Sequence, residues 1–425
     1  MRYRLGTKST TLFAVVAIAG LAGCGASATT SSSSGSKGGG SKAGSINLGV
    51  QAPLTGSRAT AGQGMVIGAT LAVNVINANG GVLGHQVKIS TQDDAADPAD
   101  AVPAAETLIN VDHVVAIDGP LSFTAGVVLP LAAKAKIPML MWGGGAEFDH
   151  ETSPYFYRMS PSDTEMADAM AVYAYEKGWT RVALAFGTAT ADTSIVAPLK
   201  TALQRLGMTV TVNQTFAAGS TSFSSELSNV FNSHPQAILG QVSVASAAII
   251  FGEMQQQGLA TIPWVGTNLW FGSDFFSSVG KTTATGPIYM LNPGTENGGY
   301  GPFLTLWKQA KGTNTPEVGS TFAYDAANVW ALGAQAAGTV SSPGIEAGIQ
   351  KVTHGSNVCT AYVSCLKLLK EGRSISYDGA SSSVNFDKYH NVYGPFDVLH
   401  FNADGTATTL QELTPQDIQK KLGLG

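Results

Sequence analysis

Positive charge is in short supply: 24 Lys and Arg are outnumbered by 29 Asp and Glu, for a formal net charge of −5. A mildly acidic chain offers no electrostatic footprint for nucleic acid. Catalytic signatures are missing as well. There is no HExxH, no GxSxG elbow and no GxxxxGK followed by Ser or Thr. The seven histidines, among them His85, His113, His150, His234 and His354, are scattered without the spacing of metal ligands. In Gly62-Gln63-Gly64-Met65-Val66-Ile67-Gly68 the last glycine is one residue too far away for a dinucleotide loop, and the string does not follow a strand directly. It reads as packing at a helix start. These absences argue against an enzyme and against a metal or other cofactor.

What is present is apolar. With 44% hydrophobic residues in 425, the chain can bury a large core, and its length suits two or three domain-sized units. The stretch Val114 to Gly145 organises the rest. Val114 to Ile117 is a buried strand closed by Asp118-Gly119-Pro120, and a helix capped by Ser122 or Thr124 then carries Val127, Val128, Leu131 and Ala132 at helical spacing. Ile137 to Met141 is a second buried strand. In a right-handed βαβ unit both strands end on one edge, where open α/β sheets bind ligands. On that edge Gly119 to Ser122 leads into a helix N-terminus, and Trp142-Gly143-Gly144-Gly145 exposes backbone amides, so together the two loops can hold a small carboxylate.

The same alternation runs along the chain. Strands are expected at Ile46–Val50 and Val87–Thr91, with helices from Gly64 to Asn79 and from Asp97-Pro98 to Asn110. After Ser160-Pro161 a second set begins: helices at 166–177, 195–206, 223–232 and 246–257, with strands at 181–186, 208–212, 237–239, 262–266 and 287–291. Helices follow at 300–311, 324–337 and 344–352. An antiparallel hairpin is expected from Val384-Asn385-Phe386-Asp387 and Gly394–Phe401, with a polar helix from Leu410 to Leu422. The pattern is that of doubly wound α/β sheets.

At the start of the chain Arg2, Arg4 and Lys8 precede the apolar run Leu12–Ala19, too short to span a bilayer, which ends in Leu21-Ala22-Gly23-Cys24. This resembles a bacterial lipoprotein signal with its lipobox, and the resemblance implies cleavage before Cys24 and diacylation of its sulfur. Losing Met1 to Gly23 would take the formal charge from −5 to −8. Gly25 to Ser45, nearly all Ser, Gly, Ala, Thr and Lys, reads as a flexible tether. Cys359 and Cys365, the remaining pair in an exported chain, point to a disulfide rather than a metal or redox site.

The motifs Ile46-Asn47-Leu48-Gly49 with Pro53-Leu54-Thr55-Gly56, Asn77 to Gly84, Asp93-Asp94 with Asp97-Pro98, and Ser376-Tyr377-Asp378-Gly379-Ala380-Ser381 with Asn385-Phe386-Asp387 follow in order. The chain therefore resembles the branched-chain amino-acid-binding family of type I periplasmic solute-binding proteins, from Ile46 to about Gly405. The Cys359–Cys365 segment is similar to one in lipoprotein members. That resemblance implies two doubly wound α/β lobes joined by three hinge strands: residues 46–161 with 293–383, and residues 162–292 with 384–425, behind a signal (1–23) and a linker (24–45). The crossings would fall near Pro161, Pro293 and Val384.

By the same resemblance Ser122, Phe123 and Thr124 present a helix N-terminus to the ligand carboxylate, and Gly143 and Gly145 match head-group positions without their hydroxyl. Ala61 and Ala191 stand where an aromatic is common. Asn268 stands where an acid pairs with the ligand ammonium, and a neutral amide is a poor substitute for a buried charge partner. Trp142, Gly144, Trp270 and Phe271 complete the edge, either as ligand surfaces or as packing. Glu147, Asp192 and Asp274 are the alternative acids. The expected ligand is a carboxylate or amide with an apolar or aromatic body, or an amino acid. The expected partners are ABC permease subunits, with the membrane reached through the lipid anchor at its outer, extracytoplasmic face, and the chain acting as a monomer. A sensing lipoprotein that acts on a signalling partner is the other reading, since the fold serves both.

Overall fold

The computed structural model describes residues 44–294, 297–340 and 344–424; Cys24 lies outside the described residues. Five parallel strands form the first sheet: β1 (Ile46–Ala52), β2 (Val87–Asp93), β3 (Ala116–Leu121), β4 (Met139–Trp142) and β5 (Phe156–Arg158), in the order β2-β1-β3-β4-β5. Helices cover both faces, and the inner strands β1, β3 and β4 are buried along most of their length. Leu140 joins the core beneath α1 (Ala59–Ala78) and the helix Ser320–Ala337. Its neighbours Met139 and Met141 join the opposite core, beneath α2 (Pro98–Asn110) and α3 (Ser122–Ala135). α1 lies tightly on Ser320–Ala337, for a Cβ at Gly64 or Gly68 would stand 2.2 or 2.0 Å from the carbonyl oxygen of Val318 or Ser320. That is the packing expected of the glycine string.

The second sheet has seven strands. β6 (Arg181–Gly187), β7 (Thr209–Phe216), β8 (Ala237–Leu239), β9 (Trp264–Thr267) and β10 (Ile288–Pro293) are parallel. A small parallel pair, β11 (Asn357–Cys359) and β12 (Ile375–Tyr377), stands apart. β13 (Phe396–Phe401) and β14 (Ala407–Leu413) then add antiparallel to β10, giving the order β14-β13-β10-β9-β8-β6-β7. Val182, Leu184 and Phe186 face one core and Ala183 and Ala185 the other, the two-residue period of a strand covered on both sides.

Three expectations need correction. β3 does not stop at Asp118-Gly119-Pro120 but runs through it to Leu121, because pairing with β1 and β4 holds the segment, and its Asp118 is only 1% exposed. The hairpin is β13 with β14. Val384 and Phe386 instead pack into the first core, where Phe386 meets the edge of the Tyr157 ring at 5.1 Å, and the final helix begins only at Pro415. The helix Tyr362–Lys370 was not anticipated; a disulfide joins its Cys365 to Cys359 of β11, with the Cα atoms 5.3 Å apart.

The chain passes between the sheets at three adjacent places: after β5, after β10, and just before β13. Gly294 N–H donates to Pro395 O at 2.7 Å, and Gly394 lies against the ring of Pro161. The last passage therefore comes later than Val384.

Candidate functional site

The strand ends of the two sheets enclose a cavity of about 350 Å³. On the first sheet's side it is lined by Ser122 and Phe123 at the start of α3, by Trp142 to Gly145 after β4, and by Arg58 and Ala61 at the start of α1. On the other side come Asp163, Ser194, Gln241 and Asn268.

α3 begins directly at Ser122, with Leu121 in the cap position and no side chain capping the helix. Its first N–H groups are therefore left for whatever occupies the cavity, and they carry the positive end of the helix dipole. The chain leaving β4 must pass close by. A Cβ at Gly143 would stand 2.6 Å from Ser122 Oγ, and its φ of +144° also disfavours other residues. The Gly143 N–H donates to Ser160 Oγ at 3.0 Å. Below the turn the fully buried Arg158 donates to Gly145 O and to Asp149, each at 2.8 Å, which fixes the backbone from behind. Trp142 stacks on Phe322 with ring centres 5.4 Å apart and also lines the cavity.

Of the residues expected at the site, Ser122, Phe123, Trp142, Gly143, Gly144, Gly145 and Asn268 surround this one cavity. Thr124 does not. It is buried beneath the helix start, where its hydroxyl donates to Asp94 Oδ2 at 2.8 Å. Trp270 is a correction too: it is fully buried in the second sheet's core, donates Nε1–H to Val242 O at 2.9 Å and stacks on Phe275. Among the alternative acids Glu147 lines the cavity, Asp192 is buried beside it and accepts from Gln241 at 2.8 Å, and Asp274 is exposed and away from it. The side chain of Ala191 lies outside the described residues.

Among the cavity residues that were not anticipated are Asp163 and Arg58. Asp163 opens α4 (Asp163–Glu176), which starts in the capping box of Ser162 and Glu165, three residues before the expected Met166. That box was legible as Ser-Asp-Thr-Glu. The Asp163 N–H donates to Gly144 O at 2.6 Å and its carboxylate accepts from Ser194 Oγ at 2.5 Å. Burial pushes this carboxyl up to about 6, against the lowering effects of Ser194 and Arg158. Arg58 had no sequence signal at all. Its guanidinium sits 5.0 Å over the Phe123 ring.

Paired α/β sheets with a cavity at their facing edges are an arrangement that can take up a small solute between them. Residues 45–376 match the family model "Periplasmic binding protein", and the chain belongs to that family. Proteins similar to the chain include Leu/Ile/Val-binding proteins. It is 24% identical over 350 residues to Leu/Ile/Val-binding protein homolog 3 of Brucella melitensis, covering 80% of this chain and 90% of that one. Two solved structures align with it at 21% identity: a leucine-binding protein LivK of Thermotoga maritima (TM-score 0.74; 88% of this chain, 99% of the other) and LivJ of Streptococcus pneumoniae in complex with isoleucine (0.72; 87% and 100%). An ABC-transporter solute-binding protein from R. palustris, in complex with benzoate, aligns at 17% identity and a TM-score of 0.69, over 87% of this chain and 97% of that one.

Proposed function

We propose that the protein captures a small organic acid or amide with an apolar or aromatic body between its two lobes, one built on each sheet. It then delivers this solute to an ABC importer of the branched-chain amino-acid or amide type. It works as a monomer at the outer face of the cell membrane, held there by lipid on Cys24. The observation that carries the reading is the uncapped start of α3, which opens beside Trp142 into the cavity between the two sheets. Backbone N–H groups receive a carboxylate or amide oxygen, and the indole face receives an apolar body. Ser122, Phe123 and Gly143 to Gly145 thus form the anion side.

The cavity is poorly equipped for an ammonium. Asn268 is neutral, the buried acid Asp163 is already engaged by Ser194, and Glu147, the other acid of the lining, stands beside Gly145 on the anion side. A ligand without an ammonium group is therefore favoured over an α-amino acid. A thermal-shift panel of leucine, isoleucine, benzoate and benzamide tests this. A ligand at a hundredfold excess over its Kd stabilises by roughly 2.7 kcal/mol. Stabilisation by benzoate or benzamide with little effect of the amino acids is expected. Micromolar binding of leucine would overturn the ligand class.

A further inference from the structure

Arg58 is a cation placed in a cavity without a hydrogen-bonding partner. It comes from the short turn Gly56–Arg58 before α1, lines the cavity, and makes no hydrogen bond or ion pair with the described residues. What holds it is less specific. Its guanidinium lies over the Phe123 ring at 5.0 Å, on the first sheet's side, and it feels the negative charge of Asp192 from the other side of the cavity. Asp192 is itself fixed by Gln241 Nε2 at 2.8 Å, so the attraction comes from a stationary source. Burial disfavours the Arg58 charge while Asp192 supports it, and an arginine stays charged under both influences. A planar fork of five donors, oriented by a ring and a distant carboxylate but bonded to neither, is open to a bidentate partner.

We propose that Arg58 is a specificity-determining residue that receives the carboxylate of the bound solute, with Phe123 and Asp192 as its positioning groups. The inference rests on the solute-binding reading and narrows it: a carboxylate is preferred to the matching amide. Backbone N–H groups alone would treat the two oxygens more evenly, whereas a charged guanidinium distinguishes an anion from a neutral amide.

The test uses matched pairs, benzoate with benzamide and isocaproate with isocaproamide, titrated by calorimetry into the wild-type protein, Arg58→Gln and Arg58→Lys. In the wild type the acid is expected to bind at least tenfold tighter than its amide. Arg58→Gln should lose that preference, weakening the acid tenfold or more and the amide less than twofold. Arg58→Lys should fall between, since a lysine keeps the charge but not the fork. Amide binding that survives in Arg58→Gln shows that the variant folds. If the acid binds Arg58→Gln as tightly as it binds the wild type, the role of Arg58 is overturned while the solute reading stands. Acid and amide binding the wild type alike would have the same meaning. If neither pair binds the wild type, both the ligand class and the role of Arg58 fall.

Discussion

Trp142 ends β4 and Trp270 closes the short turn after β9, so each leaves a strand on the ligand edge of its sheet, yet one indole faces the cavity and the other is sealed in a core. Their surroundings explain the difference. After Trp142 three glycines carry the backbone away, and Phe322 supports the ring from behind. Trp270 instead ends the turn Asn268–Trp270, which folds its ring back over β9. The fit is close enough that a Cβ at Gly266 would stand 2.3 Å from the indole. There the ring completes an aromatic cluster with Phe251, Trp264 and Phe275. An aromatic on a ligand edge is thus not by itself a ligand contact; the local turn decides which way it points.

The sharpest break of this comparison is a pair of truncations. Trp270→Ala should destabilise the protein by about 3–5 kcal/mol, the cost of emptying a large aromatic site in a core. Trp142→Ala should cost much less stability but weaken binding of an aromatic carboxylate such as benzoate. Urea unfolding of both variants beside benzoate calorimetry checks this. Equal losses of stability would remove the distinction.

A second test asks whether the side of the cavity that carries Asn268 can be recharged. Asn268→Glu adds a carboxylate to the cavity lining, so leucine, with its ammonium, should gain affinity and benzoate should lose it. The loss is expected to be on the order of a few kcal/mol if the two anions are close and desolvated. Calorimetry with both ligands against the unmodified protein reads this directly.

Asp163 gives a smaller effect, dependent on pH. Its carboxyl is held up at about 6 by burial, above its unfolded value. The folded state therefore holds the proton more tightly between about pH 4 and 6, and the contribution to stability present at low pH is lost as pH rises through that window. Asp163→Asn removes the titration. It should lessen the slope of this part of the stability profile, to which Asp168 and Asp325, also raised to about 6 by burial, contribute, and leave the variant more stable than the wild type near pH 7 by on the order of 1–2 kcal/mol. A variant with the same slope between pH 4 and 6 as the wild type would show that another buried acid carries the dependence.

The smallest expected change is none. A chain starting at Ser45 should bind benzoate as the full chain does, since Gly25 to Ser45 offers no apolar side chains to join a core. A tenfold drop in affinity would contradict the tether reading.

The backbone-built part of the site was legible because it depends on local pattern. Strand, helix start and glycine turn follow one another between Val114 and Gly145, and topology then puts both loops on one edge. Asp163 was partly legible, for the capping box that sets α4 in place is written in four consecutive residues. Arg58 was not legible, because nothing around it in the chain mentions Phe123 or Asp192. The misplacement of the last hairpin has a similar origin. Val384 to Phe386 and Phe396 to Phe401 are both short apolar runs, and only contact with Tyr157 in one case and with β10 in the other separates a core loop from a strand.

The order of residues alone determined two doubly wound sheets, their helices and the glycine-lined edge, since hydrophobic period, caps and turn residues act over a few positions. Tertiary structure alone decided the lining of the cavity by side chains from distant segments. It turned Trp270 inward, brought Asp163 against Gly144, and set Arg58 between a ring of one sheet and an acid of the other. These choices depend on packing space and on the charge environment, and neither exists until the sheets have come together.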